Sequence, residues 1–544
     1  MPQQPVEIGS DNGSQPQQPV QIGCSSCCFA EGTQVLLANG SSINVEDVKL
    51  GDQLLGPDGL PRAVLHLLRG IEPLYAITSS KTPQLMKREN EGLPNKSTVY
   101  VTAAHKFPII LRRLRGKRRG RWQEGVFDNE RCTIINHSVE AEPSYPTLDD
   151  AYIIANVTAD DYTSKLPATY RNESRIAVNR NPHFGPMDVR LVLPPVKFLE
   201  VQPAADGPGV ADEEFGEDEI LLTPAICYMI GYWLGTGKAA HTNVATMTHE
   251  ALTGVVYPRF ASFWQSQGLE GLFGELTTRV GVMTPQLGPG ESPKGGSIRF
   301  PVSKLWTRIL HAVGARASSL PAGTLTVSAR VHKNLGETIT KCIPVELPVL
   351  LGNEANRCSF LAGLLDADGY VKRATCGTPA PGQFSPVCFY IRQISSRPWA
   401  DGLDRLATLL GMRLNVLNQP AHDAEMMVRG ELRKVHHQEA SVYCFRNNAI
   451  ELTRVMRHSI FRKGEDLDPY TQMHNMEPAF LAEITPETLN FINTRGRSAR
   501  SAMILGSSFA INPNVTTPLP FFGFELSGDH LHVLADGTVH HSCG

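Results

Sequence analysis

The sequence predicts a multidomain chain, rich in β structure, with mixed α/β segments in its middle. Three observations lead there. The chain has 544 residues, room for three or four domains at about 150 residues each. Its 47 Gly and 39 Pro favour many turns over a helical bundle. Two apolar, helix-like segments stand in the interior, at 223–237 and 360–369. Hydrophobic residues make up 41% and charged residues 19%, so real cores can form. A net charge of −3 excludes a globally basic nucleic-acid binder and an acidic, disordered tail protein. A local basic patch stays possible, because averaging hides it.

Taken in order, residues 1–27 hold the near-repeat QQPVEIGS and QQPVQIGC and read as a disordered tail. They lack the apolar centre of a signal peptide. No run reaches the roughly 18 apolar residues of a membrane helix. Eleven cysteines, an odd number in a long chain, suggest an intracellular protein with reduced thiols. Cys24-x-x-Cys27 has no second pair nearby, so zinc or redox use is a weak reading. From Cys28, short β-type runs such as Val35-Leu36-Leu37 and Gln53-Leu54-Leu55 alternate with the turn pairs Asn39-Gly40 and Asp58-Gly59. Cys28 alone is either a small buried residue or a nucleophile. Thr102-x-x-His105 sets a hydroxyl and an imidazole three residues apart.

Eight basic residues follow with no acid among them: Lys106, Arg112, Arg113, Arg115, Lys117, Arg118, Arg119 and Arg121. Such a run is a nucleic-acid contact or a solvated loop, and also a candidate nuclear-localisation signal. Arg forks suit phosphate oxygens and guanine edges. Residues 201–218 read as a linker, and 284–297 as a surface loop. Thr223 is a plausible N-cap, with Pro224 in the first turn. In the second helix, Ala362 and Gly363 allow a close helix–helix approach. Asp368 falls at the helix end, before Gly369. Residues 464–500 carry no assignment. The histidines His530, His532, His540 and His541 near the end are candidate metal ligands or ordinary strand positions.

Two family resemblances organise these pieces. CFAEGT at 28–33, Thr102-x-x-His105 and the segment GDHLHVLADGTVHHSCG resemble the sequence blocks of the Hint (hedgehog/intein) splicing domain. Phe360 to Gly369, followed by Tyr370-Val371, resembles the LAGLIDADG homing-endonuclease motif. The helix from Thr223 to Gly237 resembles its partner motif, with Thr236 where that family places Asp. Lys341-Cys342-Ile343-Pro344 resembles the family's Lys-x-Ile-Pro segment, and Ala407 to Met412 its helix-ending Leu-Gly segment. The likeness is to the branch holding vacuolar-ATPase inteins and mating-type-switching endonucleases.

The resemblance implies a multidomain fold. An all-β Hint domain forms from both chain ends, at 28–200 and 501–544. A DNA-recognition insertion lies at about 106–180 within its first part. A two-lobed α/β endonuclease of the αββαββα type interrupts it at 219–500. The implied protein is a nuclear monomer, away from any membrane. Its implied chemistry is Mg2+ (or Mn2+) dependent hydrolysis of double-stranded DNA at a long asymmetric site. Catalysis would fall to Asp368, the metal ligand, with Lys341 and the degenerate Thr236; a neutral hydroxyl is a poor substitute for a carboxylate on a hard cation. In the Hint domain Cys28 would attack the Cys27 carbonyl, with Thr102 and His105 polarising the peptide and protonating the leaving amine. Cys543 would accept the acyl group, and His530 and His541 would assist the last step. That step needs a terminal Asn, and Ser542 stands there without an amide nitrogen. The resemblance thus implies incomplete splicing. The alternatives are a catalytically impaired DNA-binding remnant or nickase, and a Hint-type autoprocessing protein without nuclease function.

Overall fold

The computed structural model describes residues 27–80, 96–112, 115–118, 120–140, 152–179, 188–201, 210–238, 241–247, 256–279, 296–299, 304–326, 335–373, 387–394, 399–428, 431–437, 440–446, 454–461, 506–513 and 518–543. The tail at 1–26 and the segment 464–500 lie outside them, as does most of the loop at 284–297.

Both ends of the chain enter one ten-stranded sheet. Its strands run, edge to edge, Tyr152–Thr158, Lys106–Arg112, Arg175–Ala177, Gly506–Asn512, Tyr75–Ser80, Lys96–Val101, Cys28–Ala30, Pro518–Leu526, Pro61–Pro73 and Gln53–Leu55. The short strand Cys28–Ala30 is buried along its length. It pairs with Pro518–Leu526 in the register Cys28↔Gly523 and touches Lys96–Val101 on its other side. Phe29, Val35, Val101, Phe107, Phe524 and Leu526 close the core beneath. The Asn39-Gly40 pair turns a small hairpin between Gln34–Leu36 and Ser42–Asn44, with Gly40 at a φ of 86°. This β-rich architecture is consistent with a Hint domain.

Three sequence boundaries need correction. Residues 106–112 and 152–177 are not part of an insertion: Lys106–Arg112 pairs with Tyr152–Thr158 and Arg175–Ala177 inside the large sheet. The physical reason is the apolar run at Phe107, Ile109, Ile110 and Leu111, all buried. Only the three-stranded sheet of Arg115–Arg118, Arg121–Asp128 and Thr133–Val139 stands apart from it, rooted by Cys132 and Ile134. Residues 188–200 do not belong to the β-rich domain, since Val189, Leu191 and Leu193 pack into the inner core. Nor is 201–218 simply a linker. Val196–Val201 pairs with Val210–Phe215, and Asp218–Leu221 pairs with Arg190–Leu193. Residues 202–209 lie outside the described set.

The inner unit is organised by helices α1 (Pro224–Thr236) and α2 (Glu354–Asp368). Thr223 caps α1, its hydroxyl oxygen accepting from the Ile226 N–H at 3.3 Å. Asn353 caps α2 in the same way, accepting from Asn356 N at 3.0 Å. Every residue of α1 from Ala225 to Leu234 is buried, the pattern of a helix enclosed on all sides.

The two helices pack in parallel at backbone distance. A Cβ on Gly231 would lie 1.9 Å from the Phe360 carbonyl oxygen, and one on Gly363 would lie 2.0 Å from the Tyr228 carbonyl oxygen. The contacts are reciprocal, because Gly231 and Gly363, like Tyr228 and Phe360, are 132 positions apart. A local two-fold axis therefore runs between the helices. Each helix leads into a four-stranded sheet. The first is Gly237–Lys238, His241–Met247, Gly296–Arg299, Thr277–Arg279; the second is Gly369–Arg373, Val387–Ile394, Ala440–Arg446, Arg413–Gln419. Both sheets order their strands first, second, fourth, third along the chain.

One buried carboxylate breaks the symmetry. Asp366 accepts from Tyr228 OH (2.8 Å), Ser459 Oγ (2.6 Å), Ile460 N (2.8 Å) and Phe461 N (3.2 Å). Its counterpart in α1, 132 positions earlier, is Leu234. Helix α3 (Ala400–Leu409) docks the inner unit on the β-rich domain. Leu409 packs with Leu36, Leu55 and Val533, and Arg405 donates to Ser42 Oγ at 2.8 Å.

Gly231→Ala or Gly363→Ala should destabilise the inner unit by about 1–3 kcal/mol in denaturant titrations, because backbone atoms must separate. Gly216→Ala, where an added Cβ meets nothing within 4 Å, is the matched control. Asp366→Ala strands four donors and should cost about 3 kcal/mol by the same measurement.

Candidate functional site

At the junction of the two chain ends, three cysteines meet. Cys28 is fully buried, and its Sγ lies 3.9 Å from Cys543 Sγ. The Cys543 thiol donates to the Cys27 carbonyl oxygen at 2.9 Å. The Cys28 backbone N–H donates to Thr102 Oγ1 at 3.2 Å, and Thr102 N–H returns to the Cys28 carbonyl at 3.1 Å. The Cys27–Cys28 peptide is thus held at its carbonyl oxygen by one thiol and at its nitrogen by one hydroxyl. The hydrogen bond to Cys28, then burial, pushes the Cys543 thiol up, so it is a neutral donor here. Burial also pushes Cys27 up. Gly523 makes room for the sulfur pair: a Cβ there would sit 2.4 Å from Cys28 Sγ and 3.1 Å from Cys543 Sγ.

His105 lies under the junction, its ring 4.5 Å from that of Phe29. Its Nε2 bonds His540 Nδ1 at 2.9 Å. Burial, then His540, His532 and His541, hold the His105 imidazole well below its usual range. His541 is half-buried and also pushed down, by burial and then by Lys106. His530 adopts a φ of 62°, and its carbonyl accepts from Ser542 N at 2.7 Å. The Ser542 hydroxyl is engaged with the backbone, accepting from Leu526 N at 3.2 Å. Arg62 ties Asp529, the residue before His530, through contacts of 2.9 and 3.2 Å. The structure therefore gathers Cys28, Thr102, His105, Ser542, Cys543, His530 and His541 at one place. As for a metal, no group of three or more His, Cys, Asp or Glu among the described residues is arranged to hold one.

A second candidate site lies at the C-terminal ends of α1 and α2. A Cβ on Gly235 would be 3.4 Å from Asp368 Cβ, so Thr236 and Asp368 end side by side. Asp368 is exposed, whereas Thr236 donates its hydroxyl to the Tyr232 carbonyl at 3.2 Å. Lys341 joins them from Ile339–Lys341. Its Nζ donates to the carbonyls of Leu234 (2.6 Å) and Gly237 (3.0 Å), capping the negative end of α1. Burial lowers Lys341 to about 8, with Asp368 opposing the shift. Among the basic run, Arg121 is exposed at the start of its strand. The side chains of 112–119, which include Arg112, Arg113, Arg115, Lys117, Arg118 and Arg119, lie outside the described residues.

Sequence reasoning missed Gly523, Arg62, Asp366 and the role of His540. Only His540 carried a signal, its place in a histidine-dense strand. The others act through partners far away in sequence: Asp529 for Arg62, Cys28 for Gly523, and Tyr228 and Ser459 for Asp366.

Residues 28–164 match the model of the Hom_end-associated Hint family, a stretch that contains Cys28, Thr102 and His105. The catalytic subunit of a V-type proton ATPase from Candida tropicalis is 35% identical over 85 residues, which is 16% of this chain. The match spans 7% of that relative's length. No helix among the described residues is long and apolar enough to cross a membrane. The family match and the relative together support a protein of the Hint/intein kind.

Proposed function

We propose that the chain is a homing-endonuclease protein of intein origin, in which a Hint domain carries an inner, two-lobed LAGLIDADG-type unit. That unit binds double-stranded DNA at a long asymmetric site and hydrolyses its phosphodiesters with Mg2+ or Mn2+. The observation that carries this reading is the meeting of Asp368, Thr236 and Lys341 at the parallel helix ends, on a two-fold axis matching the symmetry of a duplex. The groups there are one exposed carboxylate, one hydroxyl that donates to the Tyr232 carbonyl, and one ammonium held on backbone carbonyls. Only Asp368 is suited to a hard cation, so it would hold one hydrated ion rather than one of a pair with a carboxylate each. Such a cation would supply Lewis-acid activation. Lys341 holds the end of α1 in place and sets a positive charge near Asp368. The basic strands at 115–128 offer a second DNA contact, and the run from Lys106 is consistent with delivery to the nucleus.

One acid in place of two makes the two strands of DNA unequal. On a supercoiled plasmid bearing a target selected from random DNA, with Mg2+, nicked circles should accumulate well before linear product. Thr236→Asp should raise the rate of linear product at least tenfold. If it gains nothing on a target that the protein binds, Thr236 is not what limits cleavage.

A second activity is favoured by the 2.9 Å contact from Cys543 Sγ to the Cys27 carbonyl oxygen. That contact polarises the carbonyl which Cys28 would attack in an N-to-S acyl shift. Incubating the full chain with a small thiol should release residues 1–27 as a thioester, read by intact mass, and Cys28→Ala should abolish the release. Ser542→Asn should add cleavage after position 542. An unchanged mass after prolonged thiol treatment would overturn this activity.

A further inference from the structure

We propose that Thr538 and Asp536 fix the tautomer of His105 through His540, leaving Nδ1 of His105 as its bare, proton-accepting nitrogen. The inference rests on the reading of the Cys27–Cys28 junction as an acyl-shift site for its consequence, but not for its geometry.

Four side chains form a line of hydrogen bonds. Asp536 Oδ1 accepts from Thr538 N–H at 2.9 Å and from the Thr538 hydroxyl at 2.6 Å. A hydroxyl has one proton, and here it is committed to the carboxylate. Thr538 Oγ1 can therefore only accept from the next member, His540 Nε2, at 3.0 Å. With its proton on Nε2, neutral His540 has a bare Nδ1. That nitrogen stands 2.9 Å from His105 Nε2 and must accept from it. His105 is thus protonated on Nε2, and its Nδ1 carries a lone pair. His105 Nδ1 has no hydrogen-bond partner among the described residues.

His532 does not compete for this role. His532 has neither ring nitrogen bonded among the described residues, and its ring centroid lies 6.5 Å from that of His540. Burial disfavours a charge on His540, while Asp536 pulls the other way. A neutral His540 is what the line requires.

On the acyl-shift reading, the bare Nδ1 is the His105 nitrogen that would take up the proton released when the Cys28 thiol becomes a nucleophile. The imidazolium that results keeps its Nε2–H bond to His540. The same reading would return that proton from Nδ1 to the freed amine of Cys28, so one nitrogen would handle both transfers. Asp536 and Thr538 are positioning residues, acting on the junction only through His540 and His105.

The test is 15N NMR of the full chain labelled in histidine, with His105→Gln identifying the resonances of that ring. The expected pattern for His105 is a protonated Nε2 and an unprotonated Nδ1. Thr538→Val, which keeps the side-chain shape, should mix the two tautomers of His105 and slow thiol-dependent release of residues 1–27 about tenfold. Thr538→Ser, which keeps the hydroxyl, should restore both the spectrum and the rate. A wild-type His105 protonated on Nδ1, or a Thr538→Val spectrum unchanged at His105, would overturn the relay. Failure to release residues 1–27 at all, with the expected spectrum intact, would count against the acyl-shift activity alone.

Discussion

The strand Pro518–Leu526 is what the rest of the molecule hangs on. It lies between Cys28–Ala30 and Pro61–Pro73, hydrogen-bonded to both. Without it the large sheet is two incomplete pieces, and Phe29 loses the cover of Phe524. The same strand brings Gly523 opposite Cys28 and leads the chain to His530 and Cys543. Fold and junction chemistry therefore depend on one pairing. Arg62 strengthens it from the side by binding Asp529 across the two chain ends.

The inner unit shows how backbone symmetry and side-chain chemistry part company. Reciprocal Gly–carbonyl contacts and two sheets of equal strand order make the scaffold close to two-fold. The side chains are not. Asp366 answers to Leu234 and Asp368 to Thr236. At the α1 end the polarity is supplied from outside the helix pair, by Lys341 on its terminal carbonyls. Packing constrains the glycines of both helices, because any side chain meets main-chain atoms. Position 236 is only half-buried, and its hydroxyl bonds within its own helix, to the Tyr232 carbonyl.

Much of this is legible in the sequence where the signal is local. Thr223 and Pro224 mark a helix start through hydrogen bonds within one turn. Asn39-Gly40 marks a hairpin through backbone conformation at those two residues. Cys28, Thr102 and His105 are legible as a group only through their motif spacing. The domain edges are not, because edges depend on what packs where. Val189, Leu191 and Leu193 alternate like any strand, and nothing in them tells which core they enter. Lys341 is legible as a residue of interest, but its hold on the α1 carbonyls joins positions more than a hundred apart. His540 gives little away on its own, since a histidine in a strand is usually just a strand residue.

The meeting of Cys28 and Cys543 also sets a kinetic problem. Their sulfurs touch across 515 positions of sequence. Bringing the ends of a flexible loop of about 500 residues together costs roughly 5–6 kcal/mol of chain entropy, plus a constant. Contacts of this span form late and slowly. The inner unit eases the search, because its core ties Val189 and Phe461 into one folded body. Once it has folded, the outer arms are both anchored on one body and close a much shorter loop. The inserted domain then acts on its host as a molecular staple.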